Sequence, residues 1–266
     1  KMTYLSTNIT PYDRKNRIDT IKDNIKKKER QIVVTTQLAE AGVDIDFDVV
    51  YRDFAPIDSL VQSAGRCNRN SEKEKGEVRV IKLINEKGNP CCNRIYDGVL
   101  LQETEKILRN VKSIDEKDVY DIVDRYFQNV KWHISDDKSN EILKALKMFH
   151  FSDIRKSFQL IENQPYKIDV FVPRNNEAIQ VLKQVQDIVQ RVHHAKKEER
   201  FKLQEEFDRM KGQFYQFVIS VNKNKITDDK KASEYQGFFM PVIQRKYYKD
   251  ETGFDDSEDD CPYYMV

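Results

Sequence analysis

Between Thr3 and Ile84 the chain alternates short β-branched runs with apolar-striped helical stretches, in the order strand, helix, strand, loop, strand, helix, strand. Parallel neighbours need a crossover connection, and a helix is the usual one, so this alternation reads as a mainly parallel sheet flanked by helices. Val78, Val80, Ile81, Leu83 and Ile84 make the last strand of the series. In the first crossover, Tyr12 to Arg30, Ile18, Ile21 and Ile25 form one apolar stripe, while eight basic side chains including Arg14, Arg17 and Lys22 outnumber Asp13, Asp19, Asp23 and Glu29. It reads as the solvated outer helix of a sheet, with a nucleic-acid track as the alternative. The whole chain has 46 basic and 45 acidic side chains, net +1, so any contact with a polyanion uses a local track rather than overall charge.

Two stretches stand where chemistry is expected. In an open α/β sheet, ligands bind just beyond the carboxyl ends of strands. There the run Ile32-Val33-Val34-Thr35-Thr36 passes through Gln37-Leu38-Ala39-Glu40-Ala41 into Gly42-Val43-Asp44-Ile45-Asp46. The second stretch is Gln62-Ser63-Ala64-Gly65-Arg66-Cys67-Asn68-Arg69. As a helix it places Gln62, Arg66 and Arg69 at i, i+4 and i+7, within about a 60° sector, opposite Ile57, Leu60, Val61, Ala64 and Cys67. Paired guanidinium forks that stay charged suit a phosphate chain, and a plain solvated face is the competing reading.

The order and spacing of these stretches resemble motifs V and VI of superfamily 2 helicases. Leu5-Ser6-Thr7 with Pro11 and Arg14, Thr36-Gln37-Leu38 with Glu40 to Asp46, and Ala55-Pro56-Ile57-Asp58-Ser59 leading to Ala64-Gly65-Arg66-Cys67-Asn68-Arg69 are similar to the CRISPR-associated helicase-nuclease of type I systems. The Cys67-Asn68 pair points to that branch, and the match is dense over residues 4–70. The resemblance implies that Arg69 is the arginine finger on the γ-phosphate of ATP, with Arg66 beside it and Gln62 holding the interface, as the catalytic set. It implies ATP binding by Gly42, Asp44, Gln62, Arg66 and Arg69, and backbone contacts to single-stranded DNA by Ser6, Thr7, Thr36 and Gln37. Asn68 stands where relatives commonly carry a glycine, so the geometry of motif VI is expected to differ slightly.

No Gly-x-x-x-x-Gly-Lys-Ser/Thr and no Asp-Glu-x-His or Asp-Glu-x-Asp occurs, so the phosphate cradle and the magnesium carboxylates of a P-loop motor are expected on a missing N-terminal half. The chain opens on Lys1 with a strand at once, and is read as the C-terminal half of a motor, inactive as an ATPase by itself. The expected function is single-stranded DNA translocation in CRISPR interference and antiviral defence, with ATP and Mg2+ as cofactors. The expected partners are the N-terminal RecA-like and nuclease domains of the same protein and an RNA-guided surveillance complex. A non-catalytic nucleic-acid adaptor, and the motor half of another superfamily 2 RNA or DNA helicase, remain alternatives.

The expected fold class is α/β: a second RecA-like domain with a mainly parallel sheet over 1–112, a helical linker region over 113–213 and a small C-terminal accessory domain with an acidic tail over 214–266. Apolar side chains at helical spacing (Val119, Ile122, Val123, Tyr126, Phe127, Val130; then Leu182, Val185, Val189, Val192) mark the middle region as packing surfaces. Tyr215 to Val221 and Gly237 to Ile243 are strand-like, and seven acidic side chains between Asp250 and Asp260 read as a mobile tail. No metal site is expected: none of His133, His150, His193 and His194 is followed by Asp, His193-His194 fall in a polar helical stretch, and the cysteines lack Cys-x-x-Cys spacing. With no signal peptide and no run of ~18 apolar residues, a cytoplasmic protein is expected.

Overall fold

The computed structural model describes residues 1–40, 43–69, 76–133, 137–158, 164–226, 232–233 and 240–255. The elements run β1 (Met2–Leu5), α1 (Pro11–Lys26), β2 (Ile32–Thr35), β3 (Val49–Asp53), α2 (Ile57–Ala64), β4 (Glu77–Ile81), α3 (Gly98–Leu108), α4 (Val119–His133), α5 (Asp137–Lys147), α6 (Phe151–Ser157), β5 (Lys167–Phe171), α7 (Asn176–His194), α8 (Lys197–Tyr215), β6 (Val218–Asn222), β7 (Ala232–Ser233), β8 (Val242–Ile243), β9 (Tyr248–Lys249) and β10 (Gly253–Phe254). They group into two compact units, Lys1–Ala39 with Gln164–Val266, and Glu40–Asn163. The mixed α/β class holds, but among the described residues the mainly parallel sheet does not form as one ladder. β1 pairs with β2 and β3 with β4, both in parallel, as two separate two-stranded ladders. Each β-branched run forms a strand, though the last stops at Ile81 and leaves Leu83 and Ile84 beyond it, and each finds a single partner. No helix among the described residues is long and apolar enough to cross a membrane.

In the first unit, Leu5 stands opposite Thr35, so the carboxyl ends of β1 and β2 lie side by side. Thr10 caps α1 by accepting the Asp13 N–H (3.2 Å), and Pro11 opens the helix, where its missing N–H is no loss. The start of α1 is tied to the end of α8: the Tyr12 N–H donates to the Gln216 carbonyl at 2.9 Å. The larger sheet has the order β6-β5-β8-β7, with β5 antiparallel to β6 and parallel to β8. Strand alternation divides its core. Phe171 packs with Val185, Phe214 and Phe217 of the helical side, while Val170 and Val172 pack with Ile219, Val221, Tyr248 and Phe254. The helical stretch after Pro173 is two helices, capped at Asn175 and broken at Ala195, whose extended backbone (ψ 143°) falls at the charged gap.

The acidic segment at the end of the chain is described through Asp255, and the rest of it lies outside the described residues. Asp250 pairs with Arg174 and Arg245, and Arg17 donates to the carbonyls of Tyr4, Glu251 and Asp250. Arg17 thus leaves the basic track suggested for α1 and acts as a structural donor. Tyr248 is 1% exposed, and burial pushes its phenol up to about 12, which keeps the hydroxyl protonated.

In the second unit, Ile57, Tyr126 and Val130 form a core with Leu100, Ile107, Ile122 and Val123, so the stripe read on α4 is a packing face, though Phe127 stays exposed. Two ionic knots fix this unit. Glu103 is buried, paired with Lys106 and with His133 (3.2 Å), and the Lys106 hydrogen bond holds its carboxyl below the usual range. Glu40 and Arg52 pair at 2.5 Å with both side chains largely buried, and Arg52 also donates to the Tyr96 hydroxyl. Burial raises the Glu40 carboxyl, and Arg52 opposes that rise.

Removing one partner of a mostly buried pair strands the other charge. Arg52→Ala is therefore expected to lower unfolding free energy by about 2–3 kcal/mol, read from the urea midpoint. Glu103, with a depressed folded pKa, contributes stability that is complete above its ordinary value of 4.5 and lost as pH falls below it. Glu103→Gln is expected to show a smaller drop in melting temperature between neutral and acid pH than the parent chain.

Candidate functional site

The residues singled out in the sequence fall in two groups, one in each unit. In the second unit, Val43 and Ile45 are buried, and this alternation turns Asp44 outward. Phe47 forms a parallel bridge with Cys67, its N–H donating to the Arg66 carbonyl (3.0 Å) and its carbonyl accepting the Asn68 N–H (3.1 Å). The stretch Asp44 to Phe47 therefore runs alongside Arg66 to Arg69. Asp46 accepts the Arg69 backbone N–H at 2.9 Å, and the Arg69 guanidinium pairs with Asp44 at 2.9 Å with both side chains exposed. Arg66 donates to the Glu40 carbonyl at 2.8 Å, so the backbone of Glu40 is held by Arg66 and its carboxylate by Arg52. Asp44, Arg66 and Arg69 are brought together, Gln62 is exposed on α2, and Gly42 with Ala41 lies outside the described residues.

The helix expected to carry Gln62, Arg66 and Arg69 on one face ends at Ala64, with Gly65 as its cap. Glycine is a poor helix former, and the pairing of residues 66–68 with Phe47 competes for the same backbone groups. The buried face is also rotated from the one read off the sequence: Ile57, Ser59, Leu60 and Ser63 are buried, and Val61 is 36% exposed. Asn68 adopts φ +51°, a left-handed conformation that glycine takes freely and that asparagine tolerates better than most side chains. Cys67 is a packing and tethering residue: its one S–H proton is shared between the carbonyls of Asp48 (3.3 Å) and Glu77 (3.4 Å), burial pushes its pKa up, and a Cβ at Gly76 would come within 2.7 Å of its sulfur.

In the first unit, the hydrogen bond from the Thr36 N–H to the Leu5 carbonyl (3.2 Å) continues the β1–β2 ladder. This places Thr7, Thr36 and Gln37, all exposed, just beyond the carboxyl ends of the two strands. Ser6 differs, being buried with its hydroxyl accepting the Asn8 N–H at 3.2 Å, which makes it a turn-forming side chain. Exposed hydroxyl and amide donors beyond two parallel strands can hydrogen-bond phosphate oxygens without reading bases. Among the described residues no three His, Cys, Asp or Glu side chains group as metal ligands, and His193 and His194 are exposed at the end of α7. Sequence reading missed Arg52, Tyr96, Arg174 and the role of Tyr248, because each acts through partners remote in the chain.

Residues 1–72 match the family model described as CRISPR-associated nuclease/helicase Cas3, C-terminal. The CRISPR-associated nuclease/helicase Cas3 of Haloferax volcanii is 44% identical over 82 residues, which is 30% of this chain and 9% of that protein. The CRISPR-associated endonuclease/helicase Cas3 of Thermus thermophilus is 36% identical over 86 residues, again 30% of this chain and 9% of that protein. A crystal structure of T. fusca Cas3 aligns over 91% of this chain and 32% of its own at a TM-score of 0.53 and 17% identity, and a CRISPR RNA-guided surveillance complex, pre-nicking, aligns over 91% and 34% at 0.51 and 16%. The fold likeness thus extends through most of the chain, which spans about a third of those solved chains. The resemblance carried by motifs V and VI holds: over residues 1–72 this chain is similar to the C-terminal region of the CRISPR-associated nuclease/helicase Cas3 family.

Proposed function

We propose that this chain is the C-terminal half of an ATP-dependent single-stranded DNA translocase acting in CRISPR interference, in the cytoplasm. In this reading residues 1–112 are the second RecA-like domain, 113–213 a helical linker and 214–266 an accessory domain. A first RecA-like domain and a nuclease belong to the rest of the same protein, which is recruited to an RNA-guided surveillance complex. The observation that carries it is the side-by-side run of Asp44–Phe47 with Arg66–Arg69, which holds the Arg69 backbone through Asp46 while, among the described residues, its guanidinium rests in an exposed ion pair with Asp44. Such a pair contributes about 0–1 kcal/mol and yields readily to a polyphosphate.

This edge fits a nucleotide: Arg69 swings from Asp44 to the γ-phosphate as arginine finger, Arg66 keeps the preceding loop in place through the Glu40 carbonyl, and Gln62 and Asp44 line the cleft, a role the family resemblance also gives to Gly42, which lies outside the described residues. ATP supplies the free energy of phosphoanhydride cleavage when bound, and the ligands for Mg2+ belong to the other half. Thr7, Thr36 and Gln37 grip the phosphodiester backbone of the strand, with Ser6 shaping the turn that presents Thr7. The engagement of both arginines by protein groups favours one competing reading, a non-catalytic strand-binding adaptor.

ATP hydrolysis with and without single-stranded DNA separates the two, measured on this chain alone and on a polypeptide joining it to its first RecA-like half. The motor reading expects turnover in the joined form only, stimulated by the strand; a joined form that stays inactive hands the function to the adaptor. In the active form Arg69→Ala is expected to lower stimulated turnover at least about tenfold with nucleotide affinity nearly intact, a lower bound beside the roughly 10³–10⁵ that an arginine finger can contribute. Unchanged turnover would remove Arg69 from the mechanism. Thr36→Ala is expected to raise the strand concentration needed for half-maximal stimulation and leave the plateau alone.

A further inference from the structure

We propose that Tyr248 and Gly253, at the far end of the chain, are positioning residues for the strand-gripping loop Ser6–Thr10. This rests on the strand-binding reading of Thr7. The β1–β2 ladder ends at Leu5, so it does not fix the loop that follows. The C-terminal hairpin β9–β10 does. The Tyr248 hydroxyl accepts the Thr10 N–H at 2.9 Å and donates its proton to Asp13 Oδ2 at 2.7 Å, where Arg174 Nε also donates at 2.8 Å. Gly253 adopts φ +83° against the loop backbone, and a Cβ there would stand 2.3 Å from the Asn8 carbonyl oxygen. That carbonyl accepts the Phe254 N–H at 2.9 Å. Arg17 spans the same gap, donating to Tyr4 ahead of the loop and to Glu251 and Asp250 of the hairpin.

The anchors therefore act on the loop backbone at Asn8 and Thr10 and on the strand before it, while Thr7 stays exposed between them. Ile9 and Thr10 are fully buried, so the loop has one packed conformation with the hairpin in place. Such pre-ordering removes entropy that the strand would otherwise have to overcome on binding. Asp250 brings no open negative charge to the grip, since Arg174 and Arg245 both pair with it.

The test uses the 266-residue chain and a fluorescein-labelled oligothymidine of about 20 nucleotides, long enough to cover a strand-binding groove. Tyr248→Phe keeps the ring and removes the hydroxyl. It is expected to speed amide exchange at Thr10, leave exchange in the β5–β6 ladder unchanged, and weaken strand affinity about fivefold, the worth of the Thr10 hydrogen bond, which is the one of the hydroxyl's two bonds that acts on the loop. Saturating oligonucleotide is expected to restore slow exchange at Thr10, which a purely structural role would not produce. Arg17→Lys, which loosens the same hairpin from outside the core, is expected to show the same pattern and carries the test if Tyr248→Phe unfolds the unit. Faster exchange with unaltered affinity, or unaltered exchange, overturns the positioning role alone. A parent chain that binds no strand overturns the strand reading and this inference together.

Discussion

A single buried carboxylate organises the first unit. Asp13 sits in the first turn of α1 with almost no access to water, where an ionised group is tolerated only if its oxygens are satisfied by strong donors. Tyr248 and Arg174 supply them, the first from the hairpin at the end of the chain and the second from the loop after β5. The helix start benefits as well, because a negative charge in the first turn complements the exposed amides there. Three parts of the chain remote in sequence thus converge on one oxygen atom, and the β1–α1–β2 segment is attached to the larger sheet by ionic and hydrogen-bonding contacts beyond its apolar packing.

The second unit shows what burial does to two ion pairs of the same kind, each a carboxylate with a guanidinium. Glu40 with Arg52 is shielded from water and held further by Tyr96, so neither partner leaves cheaply. Asp44 with Arg69 lies in the open, where water and salt weaken the attraction to a fraction of a kilocalorie or little more. Asp44 follows Glu40 by only four positions, yet one pair acts as a fixed post and the other as a loose catch. The Arg66 hydrogen bond to the Glu40 carbonyl joins them, so the loose catch is mounted on the fixed post.

How much of this was legible in the sequence follows from how local each cause is. The strands around Val33, Val50 and Val78 and the packing stripe of α4 were visible because periodicity and β-branching act within a few residues. The early end of α2 was not, since Gln62, Arg66 and Arg69 keep perfect helical spacing and only the competition from Phe47 and the cap at Gly65 breaks it. A continuous parallel sheet was expected because alternation counts strands without naming their partners. The link between Asp13 and Tyr248 spans 235 positions and has no local signal at all. For the candidate site, the motifs located Arg69, Thr36 and Asp44, whereas the buried state of Ser6 and the tether on Arg66 emerged only from the fold.

The division of the chain bears on the order in which it is made. Unit Glu40–Asn163 is contiguous, and its contacts close as soon as its last helix has been synthesised. The other unit begins with residues 1–39 and is completed only by residues 164–266, so its first strands wait through the synthesis of everything between. Closing so long a loop is entropically slow, and domains settle in the order in which their sequences become complete. The stretch from Ser6 to Thr10 is therefore among the last parts of this unit to acquire its final shape, because the Thr10 N–H waits for the hydroxyl of Tyr248, 238 positions later in the chain.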